Sequence, residues 1–144
     1  MVFCHEWVQA GDGEVLAMPL TEDLKAAAGK PRILFRASDA GWTKEVENSS
    51  GIRGRVTDGP FLWRDGQGRL LCLWSSFSED GYTQGLAESN NREITGHFRQ
   101  LTPLFPEDGG HGMLFRNKEG QTVLMFHQPN RHLEEHPVFI PVEI

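Results

Sequence analysis

An internal repeat at an offset of 53 residues constrains the fold more than any other feature of this sequence. Residues 58–68 (DGPFLWRDGQG) match residues 111–121 (HGMLFRNKEGQ), and residues 70–76 (LLCLWSS) match residues 123–129 (VLMFHQP). Each unit contains a glycine, an apolar strand, a glycine-containing turn and a second, strongly apolar strand. A repeat of about 50 residues built in this way is typical of propellers, in which each repeat forms one small sheet.

The turns between the strands are predicted from glycine, which supplies the positive φ that tight hairpins require. Such turns lie at residues 64–68 and 117–120, and Gly11-Asp-Gly separates a strand ending at Trp7 from one starting at Glu14. The sequence also predicts one or two helical turns at residues 21–28 and a loop at residues 39–55. Further strands are predicted at residues 14–20, 32–36, 81–88 and 97–104.

The strand at residues 70–74 is apolar at every position, which predicts that both of its faces are covered. Stacked propeller blades give a strand that environment. Counting strands along the chain gives three, then four, then three. We therefore predict an all-β protein, a partial β-propeller of about two and a half four-stranded antiparallel blades. Its single truncated domain divides into a partial blade at 1–38, a full blade at 56–105 and a partial blade at 109–144.

Charge and hydrophobicity exclude some functions and cellular settings. The net charge is −6 and the 14 basic residues are scattered, which argues against a nucleic-acid surface. No apolar stretch approaches the roughly 20 residues that cross a membrane. His5 and Glu6 interrupt the first apolar run, so the sequence as given predicts a cytoplasmic protein, with secretion or a periplasmic location left open if the natural gene is longer. Cys4 and Cys72 lie in apolar runs and are predicted to be buried thiols rather than a disulfide.

Three segments, taken together, resemble a known family: residues 56–64 (VTDGPFLWR), 73–77 (LWSSF) and 109–113 (GGHGM). In this order and at this spacing they look like the central and C-terminal part of glycoside hydrolase family 43. The resemblance covers essentially the whole chain. It implies a five-bladed propeller that cleaves arabinose- or xylose-containing plant oligosaccharides or polysaccharides with inversion.

Asp58 and Glu6 are the candidate catalytic carboxylates. Inverting hydrolysis needs a carboxylic acid and a carboxylate base. The resemblance places Asp58 at the acid position, where the family has glutamate, and implies that the family's base segment is not among these residues. Thr-Asp-Gly-Pro is also good turn chemistry, which gives Asp58 a structural alternative. Glu6 lies beside Trp7, where burial would raise its pKa as a general acid requires; an exposed strand-end glutamate is the alternative.

The remaining candidates are a metal-binding histidine and a set of sugar contacts. The resemblance implies that His111 points into the propeller axis and helps to hold a calcium ion or ordered water. On the residues alone, a lone histidine is weak support for a transition metal. Aromatic or polar side chains at strand ends, and one tryptophan in the 39–55 loop predicted to be an exposed platform, are candidate substrate contacts: Trp7, Trp74, Phe77, His127 and Trp42.

Three functions are consistent with the sequence. The first is a family 43-like glycoside hydrolase, and the second is a non-catalytic carbohydrate-binding module. The third is an inactive propeller fragment that is stable only as an oligomer. Bare sheet faces and unpaired strand edges tend to associate with another chain, so a homo-oligomer, dimer or larger, is expected.

Overall fold

The computed structural model describes residues 1–144, and its strands form three antiparallel sheets in chain order with one small hairpin between the first two sheets. The first sheet contains β1 (Val2–His5), β2 (Glu14–Ala17) and β3 (Arg32–Arg36). The hairpin consists of β4 (Val46–Glu47) and β5 (Arg53–Gly54). The second sheet contains β6 (Asp58–Arg64), β7 (Leu70–Ser78), β8 (Gly81–Ser89) and β9 (Phe98–Gln100). The third contains β10 (Gly110–Arg116), β11 (Thr122–Gln128) and β12 (His136–Pro141).

The three-four-three distribution of strands confirms the predicted partial propeller. The sequence repeat is also a structural repeat, but its offset is 52 residues rather than the predicted 53, because Arg64 pairs with Leu70 in one hairpin and Arg116 with Thr122 in the other. In β6 the pairing register with β7 shifts between Asp58 and Phe61, and in β10 the register with β11 shifts between Gly110 and Met113. Such bulges re-aim the side chains beside them. Equivalent positions of the two repeats therefore carry the same local irregularity.

Two apolar cores hold the sheets together, one on each face of β7. Leu70, Cys72 and Trp74 contribute to the core shared with the first sheet, whereas Leu71 and Leu73 contribute to the core shared with the third. All five side chains are buried. This arrangement confirms that the strand at residues 70–74 is covered on both faces.

Two local predictions near the N-terminus are wrong. The first strand ends at His5 rather than Trp7, because Trp7–Ala10 forms a short helix, α1. The backbone carbonyl of Glu6 accepts hydrogen bonds from the amides of Gln9 and Ala10, and Gly11 ends the helix with a φ of 77°. The predicted helical turns at residues 21–28 do not form, because the Thr21 hydroxyl bonds to the backbone of Ala26 and closes a non-helical turn.

The segment 39–55 contains more structure than the predicted loop. A 3₁₀-helix covers Ala37–Asp39, and the β4–β5 hairpin follows it. The Asn48 side-chain oxygen accepts hydrogen bonds from the backbone amides of Ser50 and Ile52 and so organises the hairpin turn. Neither α1 nor the 3₁₀-helix is long and apolar enough to cross a membrane.

Both cysteines are free thiols, as predicted. Cys72 is fully buried, and burial raises its pKa. Cys4 is only partly buried, and there too burial is the main cause that raises the thiol pKa, to about 11. Both side chains belong to the core between the first two sheets, so they act as small apolar groups.

Candidate active site

Strands β6 and β10 bring Asp58 and His111 together near the starts of the two strands, where Asp58 is equivalent to Gly110 and His111 to Gly59. The imidazole Nδ1 of His111 lies 3.4 Å from Oδ2 of Asp58. Gly59 makes this contact sterically accessible, because a Cβ at that position would lie 2.7 Å from Cδ2 of His111. Gly59 also has a φ of 51°, which glycine adopts at little cost. The Asp-Gly pair predicted as a turn therefore positions a carboxylate beside a histidine.

Asp58 is held as a carboxylate by three neighbouring donors. Its partial burial raises the pKa. The hydrogen bond and charge of His111 and the hydrogen bonds from the Tyr82 hydroxyl (2.9 Å) and the Gly59 amide (2.9 Å) together outweigh burial. The pKa of Asp58 is therefore lowered. A lowered pKa suits a base or a charged partner, whereas a general acid needs a raised one.

His111 and Tyr82 respond to the same carboxylate in a consistent way. The hydrogen bond to Asp58 raises the pKa of His111, with burial opposing it and the negative charge of Asp58 reinforcing it. Burial, followed by the negative charge of Asp58, raises the pKa of Tyr82, so its hydroxyl remains a hydrogen-bond donor. Asp58 is thus an anion between two donors.

Buried polar groups fix the backbone of His111. Its amide donates a hydrogen bond to Oγ of Ser75 (2.8 Å), and the next amide, of Gly112, donates to Oε1 of Gln84 (2.6 Å). Ser75 and Gln84 are themselves fully buried. Because their own hydrogen-bonding groups have few alternative partners, they hold β10 in one position relative to the second sheet.

An open cavity of about 550 Å³ surrounds this pair. It brings together five of the eight residues singled out from the sequence: Asp58, His111, Trp7, Phe77 and His127. Other residues on its wall were not among those eight: Val46, Glu47, Val56, Tyr82 and Asn130. The cavity thus combines carboxylates, histidines and aromatic rings, the mixture that sugar recognition and acetal hydrolysis require.

Aromatic rings form part of one wall of this cavity. The ring of Tyr82 stacks on the ring of His127, with centroids 5.5 Å apart and planes 16° apart, and it also contacts Phe77 at 5.1 Å. Nε2 of His127 lies 3.0 Å from Oδ1 of Asn130, which fixes the imidazole orientation. The wall therefore presents rigid flat surfaces beside Asp58.

Three of the predicted site residues do not lie in the cavity. Trp74 is 0% exposed, and its indole N–H donates to Gln100, so it belongs to the core rather than to a sugar site. Trp42 is not an exposed platform, because its ring packs against Trp74 at 5.0 Å. Glu6 is exposed, so the burial on which its role as a general acid depended is missing.

The side chains near His111 do not by themselves form a calcium site. Asp58 is the acidic group paired with His111, and nowhere in the chain do three His, Cys, Asp or Glu side chains form a group that could hold a metal ion. Calcium stays a prediction that would need ligands beyond these side chains. A further cavity, of about 460 Å³, is mainly apolar and has no carboxylate on its wall, so it is unsuited to glycoside hydrolysis.

Sequence reasoning missed Tyr82 and Glu47 for different reasons. Tyr82 is the only tyrosine of the chain and lies at the start of a predicted strand, but its role depends on the β7–β8 register that places it opposite Phe77. Glu47 is carried to the cavity by the β4–β5 hairpin, in a segment predicted as a loop. In the sequence, the Asp58-Gly59 pair at the start of residues 58–68 indicated where the centre of the site lies.

The fold and the cavity define a partial β-propeller with a candidate carbohydrate-processing site. No protein-family model matches the sequence, and no curated protein matches it. Among solved structures, an endo-arabinase from Bacteroides thetaiotaomicron VPI-5482 matches 99% of this chain with a TM-score of 0.93 and 41% identity. The chain spans about half of that protein, 51% of its length.

Two more distant structures share the fold. A glycoside hydrolase family 43 protein from Bacillus licheniformis gives a TM-score of 0.59 at 17% identity, covering 99% of this chain and 28% of its own. An exo-1,5-alpha-L-arabinanase from a bovine ruminal metagenomic library gives 0.57 at 17% identity, covering 92% and 48%. The resemblance predicted from three sequence segments is confirmed at the level of the fold: this chain is a partial propeller that shares its fold with a glycoside hydrolase family 43 protein.

The Asp58–His111 pair is expected to stabilise the fold over a limited pH range. Because the pKa of Asp58 is lowered, its contribution is present above the ordinary aspartate value of about 3.9 and is lost as the pH falls through the folded pKa. Because the pKa of His111 is raised, its contribution is present below about 6.5 and is lost as the pH rises through the folded pKa. The free energy of unfolding of wild type should therefore be higher than that of Asp58→Asn, and the difference should be largest between about pH 4 and 6.5.

Urea unfolding of both proteins from pH 3 to 9 measures this difference. Both side chains are about half exposed, so the expected maximum is at most about 1 kcal/mol. Asp80→Asn is a matched control, because Asp80 is exposed and its carboxylate has no ion-pair partner. A difference that stays constant over the whole pH range would contradict the ion pair.

Proposed function

We propose that this chain is the catalytic-site half of a glycoside hydrolase that acts on arabinose- or xylose-containing glycans. The observation that carries the proposal is the Asp58 carboxylate, hydrogen-bonded by Tyr82 and His111 in an open cavity with an aromatic wall. The 41% identity to a protein described as an endo-arabinase supports the choice of pentose-containing glycans.

Asp58 is proposed as the carboxylate that takes part in acetal cleavage. In the free protein its lowered pKa favours the ionised form, which is suited to activating water or stabilising positive charge on the sugar ring. The acid role implied by the resemblance needs the pKa to rise. A glycan that covers the cavity would exclude water and disfavour the charged form, which is the direction that this role requires.

The cavity wall supplies the elements of sugar binding. The ring of His127, which stacks on the buried ring of Tyr82, and the ring of Trp7 offer apolar faces for the C–H groups of a pentose ring. Asn130 and Glu47 offer polar groups for its hydroxyls. The net charge of −6 is compatible with a neutral polysaccharide and unfavourable for an anionic one.

A non-catalytic glycan-binding module is the second candidate, and the state of Glu47 favours it. Inverting hydrolysis requires two carboxyl groups that work on opposite sides of the sugar. Glu47 is the other carboxylate on the cavity wall, but Arg53 binds it at 2.9 Å. While Arg53 occupies the Glu47 carboxylate in this way, the chain would bind a pentosan without cleaving it.

Parallel measurements of binding and cleavage on the purified chain distinguish the two candidates. Calorimetric binding to arabinan, xylan and a hexose-based glucan tests the substrate class, and release of reducing ends tests catalysis. The hydrolase proposal expects release from arabinan or xylan and none from glucan. Binding of a pentosan without release would support the binding module instead, and absence of both would reject both candidates.

A further inference from the structure

His111 has a backbone conformation that glycine adopts at little cost and other residues do not. Its φ is 55°, in the left-handed region, where a Cβ comes too close to the following carbonyl oxygen. Four other non-glycine residues of the chain have a positive φ, and they lie in turns or bends outside the strands: Leu24, Arg92, Asp108 and Leu133. His111 alone lies inside a strand, β10. Backbone strain of this kind clusters at functional sites, where the surrounding structure maintains it.

The equivalent position of the other repeat is a glycine. Gly59 in β6 corresponds to His111 and has nearly the same φ, 51°. The bulge therefore needs a left-handed residue in both strands, and a glycine would meet this need in β10 as it does in β6. Histidine is the less stable choice there, but its Nδ1 lies 3.4 Å from Oδ2 of Asp58, a contact that glycine cannot make.

Two fully buried side chains maintain the strained conformation. Oγ of Ser75 accepts a hydrogen bond from the amide of His111, and Oε1 of Gln84 accepts one from the amide of Gly112. The two side chains are also joined to each other, because the Ser75 hydroxyl donates to Oε1 of Gln84 at 3.3 Å. Nε2 of Gln84 donates to the carbonyl of Trp74 at 2.9 Å. We call Ser75 and Gln84 the amide clamp, since this connected network fixes two consecutive amides of β10.

The glycines on both sides of His111 let β10 approach the amide clamp closely. A Cβ at Gly110 would lie 2.8 Å from Oγ of Ser75, and a Cβ at Gly112 would lie 2.7 Å from Oε1 of Gln84. The imidazole of His111, in contrast, is 52% exposed, so packing around the ring does little to fix it. Its position beside Asp58 therefore depends on the backbone that the clamp holds.

We propose that Ser75 and Gln84 are positioning residues: by holding His111 in its strained backbone conformation, they keep its imidazole against the Asp58 carboxylate. This inference rests on the proposed function, in which Asp58 takes part in acetal cleavage. Neither clamp residue lines the cavity, so neither contacts a sugar bound there. Without the clamp the backbone of His111 relaxes towards a negative φ and carries the imidazole away from Asp58. Such a change lowers kcat and leaves KM almost unchanged, because the sugar-binding wall is intact.

Replacing Ser75 by Ala tests the clamp, and Ser76→Ala is the matched control. Ser76 is the next residue of β7 and is equally buried, but its hydroxyl has no hydrogen-bond partner. We expect Ser75→Ala to lower kcat for aryl arabinofuranosides by about 10- to 100-fold at unchanged KM. In NMR spectra of the free protein, the imidazole signals of His111 should shift in Ser75→Ala. Ser76→Ala should leave kcat, KM and these signals as in wild type.

A second pair of variants measures the backbone strain and needs neither activity nor a folded Ser75→Ala. His111→Gly and His111→Ala both remove the imidazole, but only glycine relieves the left-handed conformation. The Tm of His111→Gly should therefore be about 2–4 °C higher than that of His111→Ala. Met113, in the same strand, is not among the residues with a positive φ, so there the order should reverse and Met113→Gly should unfold below Met113→Ala.

The outcomes separate this inference from the proposed function. A lower kcat and a shifted His111 signal in Ser75→Ala alone support both. A wild-type chain that cleaves no pentoside, with the His111 signal and the Tm order as expected, overturns the proposed function and leaves the clamp in place. Three results overturn the clamp: an unchanged His111 signal in folded Ser75→Ala, equal effects in Ser76→Ala, or a His111→Gly protein that unfolds below His111→Ala.

Discussion

Replacing Asp58 by Asn is expected to lower kcat for hydrolysis of aryl arabinofuranosides by about two to four orders of magnitude, the usual contribution of acid–base catalysis. The amide cannot gain or lose a proton in this pH range, yet its carbonyl oxygen still accepts the hydrogen bond from Tyr82. The fold should therefore survive while the chemistry is lost. Initial rates, together with urea unfolding of the same preparations, measure both quantities.

Asp80→Asn is the matched control for this variant, because it makes the same chemical change at an exposed position outside the cavity. Its kcat should equal that of wild type. Full activity in Asp58→Asn would remove Asp58 from the mechanism. A large loss in Glu6→Gln instead would restore the alternative that the sequence suggested and the exposure of Glu6 argues against.

Replacing Trp74 by Ala is expected to reduce the free energy of unfolding by about 3–5 kcal/mol, the range measured for large aromatic side chains removed from protein cores. Trp74 is 0% exposed, and its ring contacts Phe35 at 5.2 Å and Trp42 at 5.0 Å. Its loss leaves a cavity between the first two sheets and removes the hydrogen bond to Gln100. Urea unfolding followed by circular dichroism measures the change.

Leu133→Ala is the control for Trp74→Ala, because Leu133 is 87% exposed and the substitution should change stability by less than about 0.5 kcal/mol. The same pair of variants tests the sugar-contact prediction for Trp74. If Trp74→Ala kept wild-type stability and lost affinity for arabinan, the ring would be a substrate contact and its assignment to the core would be wrong.

The site lies where the strands β6 and β10 of the two repeats each contain a bulge. Asp58 begins β6 and His111 is the second residue of β10, and each lies at the bulge of its strand. A bulge turns side chains away from the regular alternation of the strand. The same irregularity in two neighbouring sheets therefore directs a carboxylate from one and a histidine from the other to a common point.

The sequence by itself determined the strands, their turns and their grouping into three sheets. These depend on glycine at the turns, the apolar run at residues 70–74 and the repeat, although the strand register gives the repeat an offset of 52 residues rather than the predicted 53. Prediction from the sequence was wrong where a side-chain hydrogen bond competes with the pattern of residues that favours a helix. At Thr21 the hydroxyl closes a turn in place of the predicted helical turns.

Only the tertiary structure decided which strand-end residues form the site. Trp74 was predicted at a strand end but lies inside β7, where the first sheet covers it, whereas His127 lies next to the end of β11 and lines the cavity. Tyr82 reaches Asp58 because β8 folds back along β7, a pairing of residues that no local pattern specifies. The lowered pKa of Asp58 follows from the same packing, because His111 and Tyr82 from other strands, together with the Gly59 amide, outweigh the burial that would raise it.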